Sequence, residues 1–529
     1  MTQWMLYPAV VLVFVVFRSL PRLLVDRGAL SLVFHDTWFH LLFAEEIAAN
    51  EHRIPRRIRG FLLSTHVAYP PLMHWLLSFL PRRWRHRLEP FWGGLCDGLA
   101  AAALLATVLH GIPGGTPRIG LLAVLLFLVT PAMLGTGWGP RALHGTPRVF
   151  GQLLFTLSAL GFLLYRATGA WGWLAAAAFF GSLIFVSSMF SIQAFVFANL
   201  LVALFARSWA PVLLAAAAFA LSLLWFKGYA LHTLRNQIRI LTVMRRALRR
   251  GQFDSPVIQG RNRWTDLLRW PVDWLRDPRK ARLVATQQNT WLILLLQTPL
   301  VPACFFLGGP GGGFAAGPLP GAGLVIWAGL ALFALTSLRP LLFLGEAERY
   351  VEHVVPLLCL TMAFAAASAP GGAGIAALAA VFAYSLFAYA KNALGFLRAE
   401  RSDEPRQARV RETLHWIQAN AAGGRFAVLP RSQMNLLIPY FTNGSVLYGQ
   451  WASHSPPDVQ ALRNPASPEF VACRDSLFDR FGIDYVVTET YPRENSGGRE
   501  LLAAYPAVFQ NTELTLLARP RAGRTPPAG

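Results

Sequence analysis

Charge is what this chain has least of. Only 14% of its residues are Asp, Glu, Lys or Arg, and its mean hydropathy is +0.41, whereas about a quarter of a soluble domain is charged. That shortage excludes an ordinary water-soluble globular protein. Lysine is scarcer still: Lys227, Lys280 and Lys391 are the only three, so 45 of the 48 basic residues are arginine. The arginine excess and the formal net charge of +21 leave two readings open. One is a genome rich in G and C. The other is a surface that meets anionic lipid headgroups or a phosphorylated lipid, where each basic group adds roughly 1 kcal/mol. No nucleic-acid partner is expected. Of the four cysteines, Cys96, Cys304 and Cys359 fall in apolar runs and Cys473 stands alone in the tail, which yields neither a disulfide framework nor a thiolate metal site. There is no internal repeat. The first apolar run carries Arg18, Pro21 and Arg22 instead of the small residues of a signal-peptide cleavage site, so it is expected to remain as an uncleaved anchor.

What the chain has in quantity is apolar runs of bilayer length, which takes about 20 residues. They lie near 4–25, 91–110, 119–136, 149–166, 171–187, 190–206, 209–226, 291–308, 320–337, 353–369 and 373–390. The expected fold is therefore a polytopic α-helical membrane protein with about eleven transmembrane helices, occupying residues 1–390. Polar segments 26–90 and 227–290 interrupt it. The second is strongly basic, and its opening, His232 to Arg246, alternates basic and apolar faces at helical spacing. It reads as a helix lying in the membrane interface. Beyond Lys391 the character changes. A helix over 406–420 stopped by Gly423-Gly424, a strand from Arg425 to Pro430, a helix over 467–481, a strand from Asp484 to Thr488, a helix near 498–504 and a strand near 513–518 predict a small C-terminal α/β domain, 391–520, with a partly parallel sheet. Residues 521–529 are a Pro/Gly/Arg-rich tail expected to be disordered. An odd number of spans puts the termini on opposite sides. With the N-terminus in the cytoplasm, segments 26–90 and 227–290 and the C-terminal domain lie outside; long segments cross despite their arginine.

Three polar clusters sit at the ends of apolar runs, where ionisable groups are candidates for function. The first is Phe34-His35-Asp36-Thr37-Trp38-Phe39-His40. Asp36 and His40, four apart, share one face of a helix. The carboxylate can take a proton from a hydroxyl with His40 orienting it, it can join His35 and His40 around a divalent metal ion, or it is a solvated acid at a helix start, favoured by the dipole. Glu45 and Glu46 read as a solvated face. The second cluster runs from His66 through Tyr69-Pro70-Pro71-Leu72-Met73-His74-Trp75, a short helix entered through proline. His74 and Trp75 are expected at the interface, and His66 and Tyr69 are candidates to face an acceptor. The third is Leu344-Gly345-Glu346-Ala347-Glu348-Arg349-Tyr350-Val351-Glu352-His353. Arg349 can hold a lipid phosphate by charge-assisted hydrogen bonds, supported by Glu346 and Tyr350. The structural reading is a Glu346–Arg349 or Glu348–Glu352 network. Arg141 and Arg148 are further phosphate candidates.

The first-loop aspartate, the Tyr-Pro-Pro-Leu-Met-His-Trp helix, the many spans and the C-terminal domain together resemble the GT-C superfamily of integral-membrane glycosyltransferases, which includes protein O-mannosyltransferases and the lipid A aminoarabinose transferase. The stretches Gly345-Glu346 to Tyr350 and Phe481-Gly482-Ile483-Asp484-Tyr485-Val486-Val487 resemble uncharacterised bacterial members. The resemblance implies a polyprenyl-phosphate-linked sugar as donor, a lipid, glycan or protein acceptor, and transfer with inversion. It further implies Asp36 as the base and cationic residues on the departing phosphate, in a multi-pass protein of the inner (plasma) membrane whose active site faces outward. One departure stands out: loop 137–148 has no acid, where several members carry a second one. A transporter or flippase of lipid-linked sugars, or a polysaccharide polymerase or ligase, is the alternative.

Overall fold

The computed structural model describes residues 3–25, 35–63, 67, 69–131, 145–249, 264–303, 319, 321–345, 347–369, 372–429, 433–448, 468–491 and 498–519. It divides into two units. One comprises Met1–Arg22 and Leu88–Phe396, and the other Leu23–Arg87 and Leu397–Gly529.

The first unit is helical. Among the described residues six helices are long and apolar enough to cross a membrane: Leu6–Leu24, Arg82–Gly111, Pro147–Thr168, Met189–Ala206, Glu348–Ser368 and Ala373–Asn420. A seventh crossing arises if Ala210–Trp225 and Tyr229–Arg246, bent by 119° at their junction, count as one. Shorter apolar helices, Pro117–Val129, Trp171–Ile184 and Ala322–Thr336, fall on three further expected spans. The expected run 291–308 is helical over Thr290–Gln297 and again over 300–303, and its end lies outside the described residues.

Local sequence explains where these helices start and how closely they pack. Thr116 accepts a hydrogen bond from the Ile119 amide at 3.3 Å and Pro117 follows it in the first turn, an arrangement suited to orphaned N-terminal amides. Thr146 and Pro147 open the next long helix in the same order, without the side-chain bond. Gly94 and Gly98, one turn apart on the helix Arg82–Ala106, let it approach the first helix: a Cβ at Gly94 would sit 2.8 Å from Val15 Cα, and one at Gly98 3.0 Å from Val11 Cα. Small residues at this spacing allow backbones to meet in a membrane.

The second unit is built on a five-stranded sheet. Its strands are β1 (Arg425–Val428), β2 (Ser445–Val446), β3 (Tyr485–Glu489), β4 (Ala507–Gln510) and β5 (Leu514–Ala518), in the order β2-β1-β3-β5-β4. Strand β1 runs parallel to β2 and β3, while β5 is antiparallel to β3 and β4. The partly parallel sheet read from the tail is thus present. Strands β2 and β4 and the helix Met434–Thr442 are additions to that reading. The helix expected over 406–420 is the end of one continuous 48-residue helix, Ala373–Asn420, with Pro405 inside it.

The polar segment after the first span belongs to this second unit. Gly60 O accepts from the Val446 amide at 2.8 Å, and the Leu62 and Leu63 amides donate to Val446 O and Leu447 O at 2.9 and 3.1 Å. These bonds extend the sheet past β2, with Phe61 bridged in parallel to Val446. The helix His35–Ala49 then buries Trp38, Phe39, Leu42, Phe43 and Ile47 in one core with Val410, Leu414, Ile417, Phe426 and Ile438. Each large apolar side chain so buried contributes about 1.5–3 kcal/mol.

Gly60 tests that arrangement. A Cβ there would lie 2.5 Å from Pro439 Cβ, and proline cannot rotate away. Gly60→Ala is expected to destabilise the unit by about 1–3 kcal/mol, seen as a lower unfolding temperature and faster proteolysis of the tail. Unchanged stability would show that the Gly60–Leu63 strand is not held against Val446.

Candidate functional site

In the second unit the helix His35–Ala49 begins at the first sequence cluster. Asp36 stands in its first turn with His40 one turn later, on the same face by backbone geometry. The side chains of His35 and Asp36, and His66 altogether, lie outside the described residues. His40 is buried, and its Nδ1 lies 2.9 Å from Nε2 of His74, which is also buried. The interfacial position expected for His74 is therefore not what the structure has: α-helix Leu72–Ser78 turns it inward and leaves Trp75 partly exposed. Tyr69 joins the pair, its ring 5.7 Å from that of His40 and 5.6 Å from that of His74. Phe39 and Phe43 complete an aromatic box. Burial in that box holds the His40 imidazole down at about 3, from an ordinary 6.5. Burial also lowers His74, with the neighbouring His40 a smaller cause. The two rings are thus neutral, one donating and one accepting.

Glu45 and Glu46, read as a solvated face, are instead paired. Glu45 meets Arg82 at 2.7 Å and Glu46 meets Arg59 at 3.7 Å. Burial raises both carboxyls, opposed by those guanidiniums. Arg82 also donates to Tyr440 O at 2.6 Å and lies over the Tyr440 ring at 4.7 Å, while the Tyr440 hydroxyl bonds His86 Nε2.

In the first unit the third cluster begins the helix Glu348–Ser368, the most buried of the spans. Arg349 stacks its guanidinium carbon 3.9 Å above the centre of the Phe190 ring. Buried Tyr350 donates its hydroxyl to Gln193 Oε1 at 2.9 Å and to Leu344 O at 3.0 Å. Arg148 makes a two-pronged contact with Glu352, Nη2 to Oε1 at 2.7 Å and Nε to Oε2 at 3.1 Å, and Gln152 donates to the Glu352 carbonyl. His353 Nδ1–H reaches Arg349 O at 2.7 Å, so Nε2 accepts from Ser191 Oγ at 3.1 Å. Glu346 and Arg141 lie outside the described residues. Neither structural network read from the sequence anticipated Arg148 as the partner of Glu352, because a contact 204 residues apart leaves no local spacing.

Sequence reasoning also missed a buried charged pair of pairs. Arg18 and Arg22, one turn apart on the first helix, meet Asp97 at 3.5 Å and Glu89 at 3.3 Å. Glu89 Oε1 further accepts the Gly145 amide at 2.7 Å, which fixes the chain two residues before the helix Pro147–Thr168. Two arginines one turn apart in an apolar run, and two acids two turns apart, one just before the next run and one inside it, were the available signal.

Among the described residues no three His, Cys, Asp or Glu side chains are grouped to hold a metal ion. The His35, Asp36, His40 alternative rests on two side chains outside that set, and the Nδ1 of His40 is already engaged with His74.

By sequence, no family profile and no curated protein matches. Solved structures do match. ArnT from Cupriavidus metallidurans in the apo state aligns with a TM-score of 0.58 at 13% identity, covering 98% of each chain. The same protein bound to undecaprenyl phosphate gives 0.56 at 14% identity, again over 98% of each chain. The archaeal oligosaccharyltransferase AglB from Archaeoglobus fulgidus, in complex with an inhibitory peptide and a dolichol-phosphate, gives 0.50 at 12% identity, covering 92% of this chain and 69% of AglB. The chain has the GT-C fold. With its apolar helices, it is a multi-pass membrane protein.

Within this GT-C fold the neutral His40 pair makes the second unit sensitive to acid. The unfolded chain protonates this imidazole below about 6.5, whereas the folded unit does so only near 3. Stability present above the unfolded value is therefore lost as pH falls towards 3. The His40 contribution should fall by about 2 kcal/mol between pH 7 and pH 5, and His40→Phe should flatten the pH dependence of unfolding by that amount. An unchanged slope in the variant would show that His40 is charged or solvated in the folded protein.

Proposed function

We propose that this chain is a membrane glycosyltransferase that moves a sugar from a polyprenyl-phosphate donor to an acceptor hydroxyl with inversion. The observation that carries the reading is the GT-C fold shared over 98% of ArnT, a protein whose structure holds undecaprenyl phosphate. Asp36 acts as the base. It takes the proton of the acceptor hydroxyl as that oxygen attacks the anomeric carbon, and the bond from that carbon to the phosphate oxygen breaks with its electron pair leaving on the polyprenyl phosphate. Its place in the first turn of a helix, at the positive end of the helix dipole, supports the ionised form. His40, His66 and Tyr69 orient the acceptor and the aspartate.

Arg349 receives the departing phosphate, with Glu346 and Tyr350 supporting it and Arg148 and Arg141 as neighbouring cations. A guanidinium stacked on the Phe190 ring face makes its hydrogen bonds in its own plane, as a fork that matches the geometry of a phosphate. Positioned donors of this kind stabilise charge that develops in the transition state. The acceptor is a lipid, glycan or protein on the outer side of the inner membrane, where the catalytic loop and the C-terminal unit also lie.

Asp36→Asn keeps the size and removes the basic oxygen. Turnover of a labelled polyprenyl-phosphate sugar by the purified variant should fall by about 10²–10⁴-fold, the contribution of a positioned base, while donor binding persists. Near-normal turnover would remove Asp36 from this role.

For Arg349, donor affinity in detergent should decrease from wild type through Arg349→Lys to Arg349→Ala, because lysine keeps the charge and loses the fork. Charge-assisted hydrogen bonds contribute about 1.5–3 kcal/mol each. A folded Arg349→Ala protein that binds donor as wild type does would transfer the phosphate role to Arg148; an unfolded one would make Arg349 structural.

A further inference from the structure

The helix Trp264–Arg276 carries two apolar faces and only one is covered. Leu267 and Trp270 pack on a small core of Val284, Ala285 and Leu292, and the Trp270 indole N–H donates to Ala281 O at 3.0 Å. At about 100° per residue, Leu268, Pro271, Val272 and Leu275 line a neighbouring face. Leu268 is 78% exposed and Leu275 85%. Val272 and Trp274 are also exposed. Exposed leucines at this spacing, on a helix in a chain of apolar spans, are a surface seeking an apolar medium.

The charges beside the stripe say what kind of medium. Arg269 and Arg276, seven residues apart, share one flank of it and are exposed, as is Arg279 just beyond the helix end. Asp266 stands in the first turn of the helix, and the two acids near its end are turned to internal use. Asp277 caps the next short helix by accepting from the Lys280 amide at 3.1 Å, and Asp273 pairs with Lys280 at 3.4 Å. An apolar stripe flanked by arginines, with a tryptophan beside it, fits the boundary between acyl chains and negative headgroups. A second copy of the chain, carrying the same arginines on the same face, would bring like charges together.

We propose that the helix Trp264–Arg276 is a membrane-surface anchor, its Leu268–Leu275 stripe dipping among acyl chains while Arg269, Arg276 and Arg279 engage anionic phospholipid headgroups. This gives part of the arginine excess a defined partner, independently of any catalytic role.

The test places an environment-sensitive fluorophore on Leu275→Cys in the full-length protein, with the four native cysteines replaced. Tyr491→Cys, at a residue 82% exposed, serves as the water reference. Both are reconstituted in phosphatidylcholine vesicles with and without phosphatidylglycerol. The Leu275 label should show about fivefold less quenching by iodide than the reference and strong quenching by a lipid-attached doxyl group, as expected for a helix buried to the headgroup boundary. The doxyl quenching should be greater in anionic vesicles, and Arg269→Gln/Arg276→Gln/Arg279→Gln should reduce it to the level seen in neutral ones. Iodide quenching equal to the reference would overturn the anchor. Protection from both quenchers would mean that protein, from this chain or another, covers the stripe. Equal doxyl quenching in the two lipids would overturn the anionic-headgroup assignment.

Discussion

The first unit turns on the two-pronged contact between Arg148 and Glu352. It joins the helices Pro147–Thr168 and Glu348–Ser368, whose apolar windows are the two most buried among the spans. In a chain so poor in charge, a largely buried arginine beside a buried glutamate needs that partner, since breaking a buried pair costs about 3–5 kcal/mol. Neighbouring contacts build on it. Gln152 meets the Glu352 carbonyl, His353 and Ser191 tie in a third helix, and Tyr350 reaches Gln193 on that same helix. Arg349 is thereby set over Phe190 by the same turn of helix. On the other side Glu89 holds Arg22 and the Gly145 amide, so the start of the Arg148 helix is fixed as well. Specific pairing gives these apolar helices a fixed register, which van der Waals packing of similar side chains does not supply alone.

The second unit uses a different device. A loop lying between two apolar runs in sequence supplies both an extra edge to the sheet, at Gly60–Leu63, and a helix to the core, at His35–Ala49. Edge strands left open invite unwanted pairing, and here the β2 edge is occupied by the chain itself. The helix that carries Asp36 is consequently anchored by Trp38, Phe39 and Phe43 rather than hanging from a span. The base proposed at Asp36 would gain from such anchoring, since small displacements from productive geometry are costly.

Much of this was legible in the sequence and some was not, for identifiable reasons. Span positions, the basic helix following Tyr229 and the tail strands β1, β3 and β5 follow from local periodicity and turn residues, which act over short range. Strand β2, two residues long, and β4, bounded by no clear alternation, carry too little pattern. The break expected after Lys391 rests on the change from apolar to charged residues, yet that change does not by itself end a helix, and Ala373–Asn420 runs unbroken through it and through Pro405. Glu45, Glu46 and His74 were misjudged because exposure depends on packing from distant segments: Arg82, Arg59 and the aromatic box are not visible in the neighbourhood of each residue. The pairs Arg18–Asp97, Arg22–Glu89 and Arg148–Glu352 are long-range for the same reason.

The chemistry proposed for this chain requires one bond to break, between the anomeric carbon of a sugar and the phosphate of a polyprenyl carrier. The direct measurement is on the purified protein in vesicles, supplied with polyprenyl-phosphate sugars labelled in both sugar and lipid, across a panel of sugars and acceptors. The account predicts that at least one donor is cleaved, releasing free polyprenyl phosphate as the sugar appears on the acceptor with inverted anomeric configuration. Movement of the intact donor across the bilayer, with both labels still joined, would contradict it and make the chain a transporter.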